Sequence, residues 1–166
     1  MITHPTGRDL TRPELRDLAL RLAERPELWR HLARHDPAAR VYEELMRDEH
    51  VEVWLICWME DHDTGFHDHD LSAGGVAVAQ GAIREDRLAL GTEPLTRVVL
   101  PGEAVDFAPS DIHRVRHVGD APSVTINAYS PPLRRMGAYE TTPTGELQRH
   151  SISYAEELRP IGLSPA

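Results

Sequence analysis

The sequence predicts an all-β fold with helices at its N-terminus, closed as an antiparallel barrel or jelly roll. Three observations predict it. Beyond residue 50, short runs rich in Val, Ile, aromatic and Thr residues recur at close intervals between Gly and Pro turns, among them Thr92-Glu93-Pro94 and Pro101-Gly102. Before residue 50 the apolar residues instead recur at helical spacing. The histidines His67, His69 and His113 fall within the strand-like region, in two separate segments.

Taken in order, Thr11-Arg12-Pro13-Glu14 reads as a capping box, in which the threonine satisfies a free backbone donor of the first turn and the glutamate reaches back to the cap. Leu15, Leu18 and Leu22 then form one apolar stripe, which predicts a helix packed on the barrel. Pro26 and Pro37 punctuate two further short helical segments, with Leu28 and Leu32 on one face of the first and Tyr42, Leu45 and Met46 in the second. Residues 1–50 are therefore expected to form a helical cap and residues 51–166 the barrel, in one domain spanning 1–166. The run Val51 to Trp58 is apolar on both faces and is expected as a buried strand. Further strands are expected over Gly75 to Gln80, Ala82 to Leu90, Thr96 to Leu100, Ala104 to Phe107, His113 to His117, Val124 to Tyr129 and Gly145 to Tyr154.

Composition narrows the function. A net charge of −9 argues against nucleic acid or an anionic membrane as partners, since either calls for a basic face. A hydrophobic content of 40% with 27% charged residues fits a soluble globular protein. One cysteine, Cys57, leaves no internal disulfide and agrees with a reducing cytoplasm, where the protein is expected; in its apolar strand it reads as a core residue. No stretch approaches the ~20 apolar residues that cross a bilayer, and the first ten residues lack a secretory pattern. A monomer or weak homo-oligomer is expected.

The chemistry sits in the histidines. Alternation along a strand points residues i and i+2 to one side, so His67 and His69 can grip a single ion while Asp68 faces away. His113, preceded by Pro101, Gly102 and Pro109, supplies a third imidazole at the two-motif spacing of a cupin barrel. Asp61 stands where the first motif usually opens with glycine, and His117 where the second usually closes with asparagine; His117 is expected beside the site or on the surface. Most cupins carry a glutamate at the position of Gly74. The expected ligand set, His67, His69 and His113, therefore contains no carboxylate and would leave a divalent ion its full charge, favouring an anionic, soft partner such as a thiolate.

The stretch Leu55 to Leu88, which contains Cys57-Trp58 and His67-Asp68-His69, resembles the cysteine dioxygenase family, the thiol dioxygenases of the cupin superfamily, in its bacterial form. The resemblance continues through His113-Arg114-Val115 to Tyr129-Ser130-Pro131-Pro132 and covers most of the chain beyond about residue 40. It implies a mononuclear non-haem Fe(II) enzyme that adds both atoms of O2 to the sulfur of a small thiol, with L-cysteine and its sulfinic acid as the reference pair. His67, His69 and His113 would hold the iron, and Tyr129 would be the phenol beside the reacting atoms.

Three positions depart from the family pattern. Gly74 stands where the animal enzymes carry the cysteine of a cysteine–tyrosine thioether, so Tyr129 is expected uncrosslinked. The family's Ser-x-His-x-Tyr is Thr125, Asn127 and Tyr129 here; asparagine can bond a phenol but does not titrate. The arginine that receives the substrate carboxylate follows a tyrosine in the family, whereas Arg40 precedes Tyr42 and Arg47 lies further on. Arg40 and Tyr42 are taken as the substrate-binding pair, because an arginine fork is the natural carboxylate clamp. Other thiols (3-mercaptopropionate, cysteamine, a secondary-metabolite thiol) are alternatives. So is a Zn(II) hydrolytic site with Glu60, Asp61 or His62 as base, or a non-catalytic ligand-binding cupin.

Overall fold

The computed structural model describes residues 3–153; the final residue of the expected last strand, Tyr154, lies outside the described residues. Helix α1 (Arg12–Ala23) starts as the capping box requires, the Glu14 carboxylate accepting the Thr11 backbone N–H at 2.8 Å. A short α2 (Pro26–Trp29) and a 3-10 turn (Arg30–Leu32) follow. Eleven strands then form two antiparallel sheets among the described residues. The five-stranded sheet runs β1 (Val41–Arg47), β2 (Glu52–Trp58), β9 (Ser123–Ser130), β4 (Ala73–Gln80), β7 (Ala104–Phe107). The six-stranded sheet runs β11 (Leu147–Ser153), β10 (Arg135–Thr141), β3 (Phe66–Asp68), β8 (His113–His117), β5 (Ile83–Arg87), β6 (Leu95–Val99). This is the antiparallel barrel that the strand spacing predicts.

Strands β2 and β9 sit side by side, both buried on two faces, and their alternation divides the core in two. Val53, Leu55 and Cys57 join Val124, Ile126 and Ala128 in a cluster with Leu15, Leu18, Leu22 and Trp29 of the helices. Ile56 and Trp58 turn instead to the barrel interior, where they meet Val76, Phe107, Val115 and Tyr129. The Leu15, Leu18, Leu22 stripe is thus explained: α1 covers the outer face of β4 and β9. It lies so close that a Cβ on Gly75 would fall 2.5 Å from the Leu15 backbone carbon and 2.4 Å from the Arg16 nitrogen. Glycine is required there by the approach of two backbones.

The segment holding Tyr42, Leu45 and Met46 is not a helix. It is β1, an edge strand paired with β2 from Val41↔Cys57 to Arg47↔Glu52. A bulge between Glu44 and Met46 breaks the two-residue alternation and lets Leu45 and Met46 both pack on the helix-side cluster. That bulge is what mimics helical spacing in the sequence. Helical structure therefore ends at Leu32, and the expected cap over residues 1–50 is partly strand. Strand β5 is shorter than expected, and β10 was not anticipated. Its Gly137 leaves room for side chains, since a Cβ there would lie 2.3 Å from the Arg149 guanidinium and 2.6 Å from the Asp68 carboxylate. No described helix is long and apolar enough to cross a membrane.

Substituting Gly75→Ala should cost about 2–3 kcal/mol, because two backbones rather than a flexible side chain must move. Urea unfolding of the variant measures this; a midpoint equal to the wild type's would show that α1 does not sit on β4 as described.

Candidate metal centre

Strand β3 places the first histidine. His67 is paired with Ala138 of β10 on one side and with His113 of β8 on the other, so two of the three imidazoles are direct cross-strand neighbours. His69 lies one residue beyond the end of β3, its N–H directed at the Pro109 carbonyl at 3.4 Å, just before a turn in which Asp70 adopts a φ of 56°. It nevertheless points to the same side as His67. The ring centroids lie 4.8 Å (His67–His69), 4.7 Å (His67–His113) and 5.2 Å (His69–His113) apart. One nitrogen from each falls within 4.8 Å of the others, and all three residues are buried.

Hydrogen bonding orients two of these rings, while His69 Nδ1 is buried with no hydrogen-bond partner among the described residues. His67 Nδ1 lies 3.0 Å from the Gly65 carbonyl, which can only accept, so the proton is on Nδ1 and the Nε2 lone pair is free. His113 Nδ1 lies 2.8 Å from Oε1 of Glu85, with the same consequence, and His113 Nε2 is buried with no protein partner. Burial, with the charge of His113 nearby, pushes His67 from the ordinary 6.5 down to about 3, and burial with the two neighbouring imidazoles lowers His69 well below its ordinary value. Three converging imidazoles, two of them kept neutral by burial, with an orphaned buried nitrogen on the third, are what a divalent metal requires, and the three residues fit one.

The second face of the site is apolar. Phe107 stacks on His69 at 4.4 Å and 22°, and Tyr129 lies 5.4 Å from the same ring. Gly74 faces Phe107 across β4 and β7, and a Cβ on it would fall 2.0 Å from the tip of the phenyl ring. Phe107 therefore fills the space in which the family's crosslinking cysteine would stand. Asp68 turns away, as alternation requires. It accepts from the Tyr139 hydroxyl (2.5 Å), Arg149 (2.8 Å) and the Gly137 N–H (3.1 Å), locking β3 to β10 and β11.

Above the histidines lies a cavity of about 40 Å³, room for the centres of a few water-sized groups, lined mostly by aromatic and aliphatic side chains. Arg40 and Tyr42 both line it, and so do Asn127 and Tyr129. The Arg40 guanidinium lies 5.5 Å from the Tyr42 ring and 5.3 Å from the Trp58 ring. Thr125, in the place of the family serine, accepts the Trp58 indole N–H at 2.9 Å and so fixes the platform under Arg40. Asn127 is buried with Oδ1 lacking a partner. Arg47 lies elsewhere, paired with the buried Glu52 at 3.1 Å. Glu60, Asp61 and His62 line a separate surface cleft with His117, which bonds Ser123 Oγ and the Gly119 carbonyl. Sequence reasoning missed Glu85 and the stacking role of Phe107; Glu85 lies on a different strand from His113, and only β5–β8 register brings the two together.

Between pH 6.5 and 3 the unfolded chain protonates His67 while the folded chain does not, so the metal-free protein should lose stability as pH falls through that window. Urea midpoints measured across it should fall less steeply in His67→Gln; parallel slopes would mean that His67 is not held neutral.

The family model described as cysteine dioxygenase type I matches residues 14–142. The zebrafish (Danio rerio) cysteine dioxygenase type 1 is 25% identical over 140 residues, 76% of this chain and 69% of its own length. A solved Bacillus halodurans protein superposes with a TM-score of 0.54 at 16% identity, covering 89% of this chain and 93% of its own. A Klebsiella pneumoniae protein with a double-stranded β-helix domain gives 0.53 at 11% identity, covering 72% and 91%. These two establish likeness of fold, the double-stranded β-helix of the cupins. Because that family match covers residues 14–142, most of the chain and all three histidines, the chain belongs to the cysteine dioxygenase type I family.

Proposed function

We propose that the protein is a non-haem Fe(II) thiol dioxygenase whose preferred substrate is a small amino-thiol carboxylate, L-cysteine first, and whose product is the sulfinate. The observation that carries this reading is one small cavity lined by three buried imidazoles and, among the described residues, by Arg40 as its one permanently charged side chain. Family membership supports the same chemistry. His67, His69 and His113 would hold the ferrous ion, which when bound would supply the redox chemistry joining a thiol sulfur to dioxygen. Both oxygen atoms end on sulfur, which gives up the four electrons that dioxygen takes, so no external reductant is consumed.

The side chains account for substrate choice. Arg40, packed near the Tyr42 and Trp58 rings at the cavity, would present its fork to a carboxylate. Among the described residues Asn127 Oδ1 is a buried acceptor without a donor, which an amino N–H on the substrate provides; 3-mercaptopropionate leaves it unmet, and cysteamine has no carboxylate to bring to Arg40. Tyr129 offers a hydroxyl donor close to His69, where sulfur and oxygen react. The apolar walls, among them Ile56, Val76 and Met136, exclude water from that point. Hydrolysis at a zinc ion would need a base beside the metal, and Glu60, Asp61 and His62 are not among the lining residues.

Oxygen uptake by the iron-loaded protein, with sulfinate counted as product, tests the reading. Uptake should be fastest with cysteine and weaker with 3-mercaptopropionate and cysteamine; absence of thiol-dependent uptake would sink it. Arg40→Ala should raise KM for cysteine about 10–100-fold, the loss of a charge-assisted bidentate bond, and leave cysteamine unchanged. Tyr129→Phe should retain iron and slow kcat on the order of a hundredfold; an unaltered kcat would remove the phenol from the reaction.

A further inference from the structure

Among the three imidazoles, His113 alone has an anionic hydrogen-bond partner among the described residues. Glu85 reaches it diagonally from β5, where Arg87 and not Glu85 is the residue in register with His113. The carboxylate and the imidazole are almost wholly buried, at 1% and 2% side-chain exposure. Glu85 is also held in place from the other side: Arg87 Nη2 donates to Oε1 at 3.0 Å, and Arg97 Nε donates to Oε2 at 2.6 Å. Arg87 is itself shared with Asp111 at 3.2 Å and the Asp106 carbonyl at 2.8 Å. The carboxylate thus cannot swing away, and its one contact toward the histidine cluster is His113 Nδ1. His67, by contrast, is oriented by a neutral carbonyl, and Asp68 spends its oxygens on Tyr139, Arg149 and backbone donors. Among the described residues, no carboxylate lines the cavity.

Building on the three-histidine reading of the metal centre, we propose that Glu85 is its positioning residue: it fixes His113 with the proton on Nδ1 and Nε2 toward the metal, and through that ring supplies the anionic character which the ligand set itself lacks. An imidazole donating to a carboxylate is a more basic ligand than one donating to a carbonyl. The arrangement makes the site richer in electron density on the His113 side without giving up a coordination position to a carboxylate, so that position stays available to substrate. Arg87 and Arg97 limit how much of the negative charge is felt at the ring.

The test separates this role from a packing role. Nitrogen-15 NMR of the metal-free wild-type protein should show neutral His113 protonated on Nδ1; a proton on Nε2 would overturn the proposal without any variant. Anaerobic Co(II) titration of the metal-free protein should then show affinity falling about tenfold in Glu85→Gln, whose amide oxygen still accepts from Nδ1, and up to about a hundredfold in Glu85→Ala, each beside a circular-dichroism check of fold. Affinities of both variants within twofold of the wild type would overturn it. If Glu85→Ala does not fold, Glu85→Gln and the wild-type spectrum decide. Failure of the wild type itself to bind Co(II) would strike the three-histidine reading, whereas tight binding by wild type and variants alike strikes the role of Glu85 alone.

Discussion

The rest of the structure depends on the exclusion of water from three imidazoles that share one face of a sheet. His67 and His113 meet across the β3–β8 ladder, and His69 joins them because the chain turns at once beyond β3. Taken out of water, His67 and His69 lose the charged form that would repel their neighbours, which lets three histidines stand with centroids about 5 Å apart. The cost moves elsewhere: each buried nitrogen must find a partner. Gly65 and Glu85 provide for two Nδ1 atoms, and the orphaned Nε2 of His113 faces the place where an ion completes the set.

The two sheets serve this cluster differently. On the six-stranded side, two buried carboxylates tied to arginines at the surface hold the backbone that carries the histidines, Asp68 with Arg149 and the Tyr139 hydroxyl on one flank and Glu85 with Arg87 and Arg97 on the other. Such pairs are weak sources of net stability but costly to break one partner at a time, so they specify geometry more than they add free energy. On the five-stranded side, β9 lines the cavity with Asn127 and Tyr129 while its alternate residues pack under α1. A residue of β9 therefore answers either to the helix or to the substrate, never to both, and the cavity face can vary without disturbing the helix face. Gly74 and Phe107 illustrate such variation: a ring stacked on His69 occupies the room that a side chain at position 74 would take.

Much of this was legible from the chain. Period-two alternation and Gly/Pro turns delimit most strands, the Thr11–Glu14 box marks the first helix, and the histidine spacing locates the metal centre. What escaped did so for identifiable reasons. The bulge at Glu44–Met46 turns two consecutive apolar residues the same way and so imitates a helix. Strand β10 combines Gly137 with few apolar residues, because its task is to make room for the Asp68–Arg149 pair. Glu85 sits in a charged stretch, Arg84 to Arg87, in which nothing local distinguishes the carboxylate that turns inward from Asp86, which pairs with Arg84 and Arg116. Its partner is 28 residues away. The stacking of Phe107 on His69 is likewise a long-range contact without local signature.

The proposed thiol chemistry and the proposed choice of cysteine both rest on one ion held at one place. Iron-edge anomalous scattering from crystals of the iron-loaded protein measures that directly. The account predicts a single strong peak within bonding distance of a nitrogen from each of His67, His69 and His113; a peak displaced from that trio, or held by carboxylates on the surface, would contradict it.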